Sequence, residues 1–87
     1  MEQADPNFLQ MRYFSDFHNN GHVSIDGQGS ELFGLDDAED EAINTLVEIM
    51  PFVLRSGHKR DLAICVRDES GHEVLRVVVA FEVIRPN

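Results

Sequence analysis

Two alternating segments, each with a glycine turn at its middle, flank one long amphipathic segment, and few folds can accommodate that order. Residues 12–26 carry the first alternating pair, 36–56 the amphipathic segment and 61–84 the second pair. A period of two marks half-buried strands, and spacings of three and four mark a helix with one apolar side. The expectation is an α+β fold in the order β-β-α-β-β. One antiparallel four-stranded sheet carries a single long helix packed on one face.

The first pair turns at Asn19-Asn20-Gly21. Asn-Gly accepts the positive φ angles of a type I′ hairpin turn. Val23 and Ile25 alternate with polar neighbours and predict one buried face. Tyr13, Phe14 and Phe17 fall on both faces of their strand. Gly27-Gln28-Gly29-Ser30 breaks the pattern, and Glu31-Leu32-Phe33 reads as a short extension.

The helix is expected to begin at Asp36 or Asp37. Asp36 and Glu39 have the spacing of a capping box. Ala38, Ala42, Leu46, Ile49 and Val53 form one apolar stripe, which Ile43, Val47, Met50 and Leu54 widen. A stripe this wide suggests burial against more than one surface. Pro51 cannot donate to the carbonyl of Val47, which predicts a kink or an early end near Met50. Ser56-Gly57 supplies the stop.

In the second pair Leu62, Ile64 and Val66 alternate with Ala63, Cys65 and Arg67, and Asp68 to His72 make the turn. Leu75, Val77, Val79, Phe81 and Val83 give the last strand one continuous apolar face. Leu46, Ile49, Val53, Leu75, Val77, Val79 and Phe81 are therefore the expected core. A single helix covers only one side of such a sheet. The other side carries Val74, Val78, Ala80 and Ile84, with Ala63 and Cys65 beside them, so these four are the candidate interface of a homodimer or of a contact with another protein.

Composition bounds what the domain does. Its 87 residues suit one domain, and 43% apolar residues suit a folded one. Residues 1–10 are polar around a proline and read as a flexible extension, leaving 11–87 as the compact unit. The net charge is −9, from sixteen acidic and seven basic residues, which disfavours nucleic acid and anionic membranes. The basic group Arg55, Lys59 and Arg60 reads as complementing the helix C-terminus. Cys65 stands alone, and no secretory or membrane-spanning segment is evident, so the expected location is cytoplasmic.

Candidate chemistry is sparse. Four histidines are present, and His22 and His58 fall at one end of the expected sheet with His72 at the other, on the order of 20 Å away. Only His22 and His58, with His18, remain as weak metal candidates. A calcium loop starting at Asp26 fails, because Glu31 and Asp37 occupy the positions that need glycine and glutamate. Gly27-x-Gly29 lacks the rest of a dinucleotide fingerprint. Cys65 has no flanking cation to lower its pKa, and Ser24, Ser30 and Ser70 lack a base partner. No catalytic residue and no cofactor is assigned.

Four stretches together resemble a family of small bacterial domains of unknown function: Met11-Arg-Tyr-Phe14, the run Asp26-Gly-x-Gly-Ser-Glu-Leu32, the acidic start of an alanine-containing helix, and Val66-Arg-Asp-Glu-Ser-Gly-His-Glu-Val-Leu75. The resemblance covers roughly residues 11–84 and makes Met11 the equivalent of the usual opening. Pro51 and the ten-residue extension depart from it. It implies no catalytic residues. The strand-strand-helix beginning is also similar to HicB-type antitoxin domains. The expectation is a small acidic soluble domain, non-enzymatic, serving as a protein-interaction or regulatory module. Two alternatives are a small-molecule or metal-binding protein that uses His18, His22 and His58, and an antitoxin-like partner of a basic protein.

Overall fold

The computed structural model describes residues 10–57 and 59–87. Strand β1 (Met11–Asn19) pairs with β2 (His22–Ser24) and β3 (Ser30–Leu32) along one side. Helix α1 (Leu35–Val53) and a 3-10 turn (Leu54–Ser56) follow. Strands β4 (Lys59–Arg67) and β5 (Glu73–Glu82) form the second hairpin. All pairings are antiparallel, and the sheet order is β2-β1-β4-β5 with β3 also on β1.

The sheet thus has five strands rather than four, and the order is β-β-β-α-β-β. The added strand is the short extension at Glu31-Leu32. β2 covers Phe17–Asn19 of β1 and β3 covers Met11–Tyr13, so the two short strands are one edge interrupted in the middle. The first turn is as expected, with positive φ at Asn20 and Gly21. Asn20 also accepts from the Asp61 N–H at 2.7 Å and donates its own N–H to the Asp61 carbonyl at 2.9 Å, tying the turn to β4.

Helix α1 starts one residue before Asp36, at Leu35, after an extended Gly34, with no side-chain cap bond, so the capping box at Asp36 and Glu39 does not form. Asp36 and Asp37 still sit in the first turn, where the helix dipole favours negative charge. Pro51 stays inside the helix, near its end, and the chain tightens into the 3-10 turn only after Val53. Gly57 is extended rather than left-handed, so the helix does not end in a glycine cap. Instead Arg60 folds back, donating to the Val53 carbonyl at 3.3 Å and to Ser56 Oγ at 2.6 Å. Its cation thereby meets the negative end of the helix.

The core gathers Tyr13, Ala38, Ala42, Leu46, Leu62, Ile64 and Val66, with Ile49, Val53, Leu75, Val77 and Val79 packed around it. The deepest sheet residues are on β4 and not, as expected, on β5. β4 is flanked by strands on both sides, whereas β5 is an edge, so Leu75, Val77, Val79 and Phe81 are half-buried. Val23 and Ile25 are exposed, contrary to the sequence expectation. Val23 pairs with His18 on the face that carries no helix, and Ile25 lies past the end of β2.

Candidate functional site

The helix-free face of the sheet is where polar and apolar chemistry meet. On it Phe14, Asp16 and His18 of β1 stand opposite Arg67, Cys65 and Ala63 of β4. Cys65, Ala63 and Asp61 in turn stand opposite Arg76, Val78 and Ala80 of β5.

At one end of this face lies an interlocked ionic cluster. Asp16 is buried, and Arg67 donates to it from Nε at 2.7 Å and from Nη2 at 3.1 Å. Arg67 also donates to the Asp26 carbonyl at 3.0 Å and lies 4.9 Å from the centre of the Phe14 ring. The Asp26 N–H donates to Asp16 Oδ1 at 3.0 Å. Hydrogen bonding from Arg67 holds the Asp16 carboxyl below its ordinary value, against the opposing pull of burial. Arg67, held by Asp16, is shifted up in return.

Asp26 explains the interrupted edge. Its carboxylate accepts from the Gly29 N–H at 2.9 Å, the Gln28 N–H at 3.0 Å and the Ser15 N–H at 3.0 Å. Ser15 lies in the gap that β2 and β3 leave on β1, so a side chain replaces the missing strand there. These N–H donors, Gly29 first, hold the Asp26 carboxyl below its ordinary value despite its partial burial.

Several of the residues that carry the sequence resemblance take part in this arrangement. Arg12 donates to the Gln28 carbonyl at 2.7 Å and to Glu31 Oε1 at 2.8 Å, bracing the loop onto β3. Its backbone N–H donates to Glu69 Oε1 at 3.1 Å, reaching the second hairpin's turn. Tyr13 is core, and Phe14 lies under Arg67. Gly29 has φ +73° and leaves only 2.8 Å between an added Cβ and the Tyr13 carbonyl. Asp68 caps its own turn by accepting from the Ser70 and His72 N–H groups at 2.9 and 3.0 Å. The family profile of a domain of unknown function, DUF6894, matches residues 12–80. The chain belongs to this family. No curated protein and no solved structure matches it. Arg12, Gly29 and Asp68 lie within the matched span, and their contacts hold the β3 edge and the β4–β5 turn in place against β1. The sequence signal for the ionic cluster was the charged residues inside strand patterns, Asp16 and Arg67, which periodicity alone does not pair.

The metal candidates are not brought together among the described residues. His18 pairs with Val23 and His22 with Asn19, so neighbouring positions of one hairpin send the two rings to opposite faces. His58 lies outside the described residues. His72 is in the β4–β5 turn, 4.0 Å from Asp68. No group of three or more histidine, cysteine or acidic residues able to hold a metal occurs among the described residues.

Cys65 is buried, and burial pushes its thiol up, away from the reactive thiolate. The candidate interface residues are open: Val78 is 61% exposed, Val74 and Ala80 are exposed, and Ile84, past the end of β5, is exposed too. Exposed apolar side chains continue on the helix at Ile43 and Val47. No helix among the described residues is long and apolar enough to cross a membrane.

Proposed function

We propose that the domain is a non-enzymatic interaction module that offers β5 and the adjoining open surface to a protein partner. One contrast carries this reading. The charged groups at the β1 side of the helix-free face are spent on each other, whereas the apolar groups at its β5 side are uncovered among the described residues. Asp16, Asp26 and Arg67 bond within the chain, and Cys65 is a buried thiol with a raised pKa. Val78, by contrast, exposes 61% of its surface in the middle of a strand. Contiguous exposed apolar surface beside polar groups is typical of a contact surface.

A photo-reactive residue placed at Val78 in the cells that make the protein tests the reading. Covalent products with a protein are expected from position 78. They are not expected from position 48, where Glu48 lies on the exposed outer side of α1. Equal products from both positions, or none from position 78, would overturn it.

A further inference from the structure

The two edges of this sheet are treated differently. One edge is split into β2 and β3, with the Asp26 carboxylate occupying the gap. The other edge is β5, ten residues long, in unbroken register with β4 from Leu75 to Glu82. Isolated edges are usually blunted by proline, bulges or charged side chains, lysine above all, and β5 carries one such charge inside the strand, Arg76. β5 has a bulge only at its start, opposite Val66 and Arg67, and proline appears only at Pro86. Its centre is Val77-Val78-Val79-Ala80. We infer that a second copy of this chain pairs with β5, antiparallel, about a two-fold axis at Val79.

The axis follows from charge and face, and the inference rests on the interaction-module reading given above. In an antiparallel pair, residues directly opposite share a face. An axis at Val79 sets Val78 against Ala80, Val77 against Phe81, Leu75 against Val83, and Arg76 against Glu82 of the second copy. Beyond the regular strand the same register brings Glu73 towards Arg85. Every charge meets its opposite, and every apolar residue meets an apolar one. An axis at Val78 would set Glu82 against Val74, and one at Ala80 would set Glu82 against Val78 and Arg76 against Ile84. Both oppose charges to apolar groups, so Val79 is selected.

The charge balance also favours this edge. A chain of net charge −9 repels its copy in general. Along β5 and its continuation, however, Glu73 and Glu82 are balanced by Arg76 and Arg85; Arg76 already pairs with Glu73 at 2.8 Å within the chain, so the approach here is locally neutral and Arg76 would be shared with Glu82 of the second copy.

The helix supplies an independent argument. β3 and β4 run in the same direction with β1 between them, and α1 is the crossover connecting them. Such crossovers are right-handed. With that hand, the side of α1 that follows the core stripe in rotation faces outward past β5. That side carries Ile43 and Val47, which are 40% and 54% exposed. Two copies joined at β5 would set these second stripes towards each other across the axis. Met50 and Leu54 pack on the chain's own core, and the exposed remainder of the stripe, Ile43 and Val47, is thereby accounted for.

Light scattering on the purified chain reads the mass, and a charge-swap cycle reads the register. The wild type is expected at twice its 9.9 kDa monomer mass in the micromolar range. Arg76→Glu and Glu82→Arg should each return it to the monomer mass with circular dichroism unchanged, since both side chains are exposed. The double variant should restore the dimer. A Val79→Cys chain should also self-crosslink on mild oxidation, because directly opposed Cα atoms lie about 4.5–5.5 Å apart, within disulfide reach. A monomeric wild type, or a dimer indifferent to both single swaps, overturns the inference. The interaction-module reading fails separately, when position 78 yields no protein crosslink. Crosslinks from position 78 to a different protein, with a monomeric wild type, retain the module and discard the second copy.

Discussion

Arg67 grips Asp16 with two nitrogens, and the two residues lie 51 positions apart in the chain. Asp16 is 6% exposed, so its charge is held by Arg67 and by the Asp26 N–H rather than by water. Removing the carboxylate leaves Arg67 only the Asp26 carbonyl and the face of Phe14. Asp16→Ala is expected to lower stability by about 1.5–3 kcal/mol, the usual contribution of hydrogen bonds to charged groups. Urea denaturation at neutral pH measures it, and a loss under about 0.5 kcal/mol would place the pair among ordinary surface contacts.

Acid acts on the same cluster. Asp16 and Asp26 both have folded-state pKa values below the ordinary 3.8. A depressed carboxylate pKa means that folding favours the ionised form, so its contribution is fully present above the ordinary value. It is lost as pH falls through the folded values. Stability from these two groups should be flat between about pH 5 and 7 and should fall below about pH 4. Asp26→Asn should reduce the difference between denaturation midpoints measured at about pH 6 and pH 3. An unchanged difference would contradict the assignment of acid sensitivity to this loop.

Leu46 is the helix residue seated deepest among the large side chains, at 2% exposure. Leu46→Ala should cost about 2–5 kcal/mol through lost burial and the cavity left behind. Val47→Ala, one residue on and 54% exposed, should cost far less in a dilute monomer. Chemical denaturation of the two variants side by side separates them.

Gly29 and Gly57 make a paired test of backbone geometry. Gly29 sits at φ +73° with the Tyr13 carbonyl 2.8 Å from an added Cβ, so Gly29→Ala should destabilise by more than about 1 kcal/mol. Gly57 is extended, and its nearest neighbour is the flexible end of Arg60 at 3.5 Å. Gly57→Ala should be nearly neutral. Thermal melts of both variants check the contrast, and equal shifts would refute it.

The period of each segment was legible without coordinates. Alternation marked β4 and β5, three-and-four spacing marked the α1 stripe, and Asn20-Gly21 marked the first turn. What escaped the sequence depends on tertiary position. Val23 and Ile25 alternate as buried residues do, but their hairpin half lies at the sheet edge on the side the helix does not cover. Leu75 to Phe81 form a continuous apolar face, yet the central position of β4 gives Leu62, Ile64 and Val66 the greater depth. The capping pattern at Asp36 gave way because Leu35 had already entered the helix. The Asp16–Asp26–Arg67 lock was invisible because its members look polar and local in sequence and meet only when the hairpins cross.

The placement of β1 between its own hairpin partners and β4 has a consequence for the nascent chain. At roughly 5–20 residues per second, Arg67 emerges from synthesis some seconds after Asp16. During that interval the first hairpin has one edge dressed and the other bare. α1 is made in the meantime with nothing but that hairpin to rest on. The inner edge of β1 therefore stays unpaired until β4 is made, and a neighbouring growing chain could take the place reserved for β4.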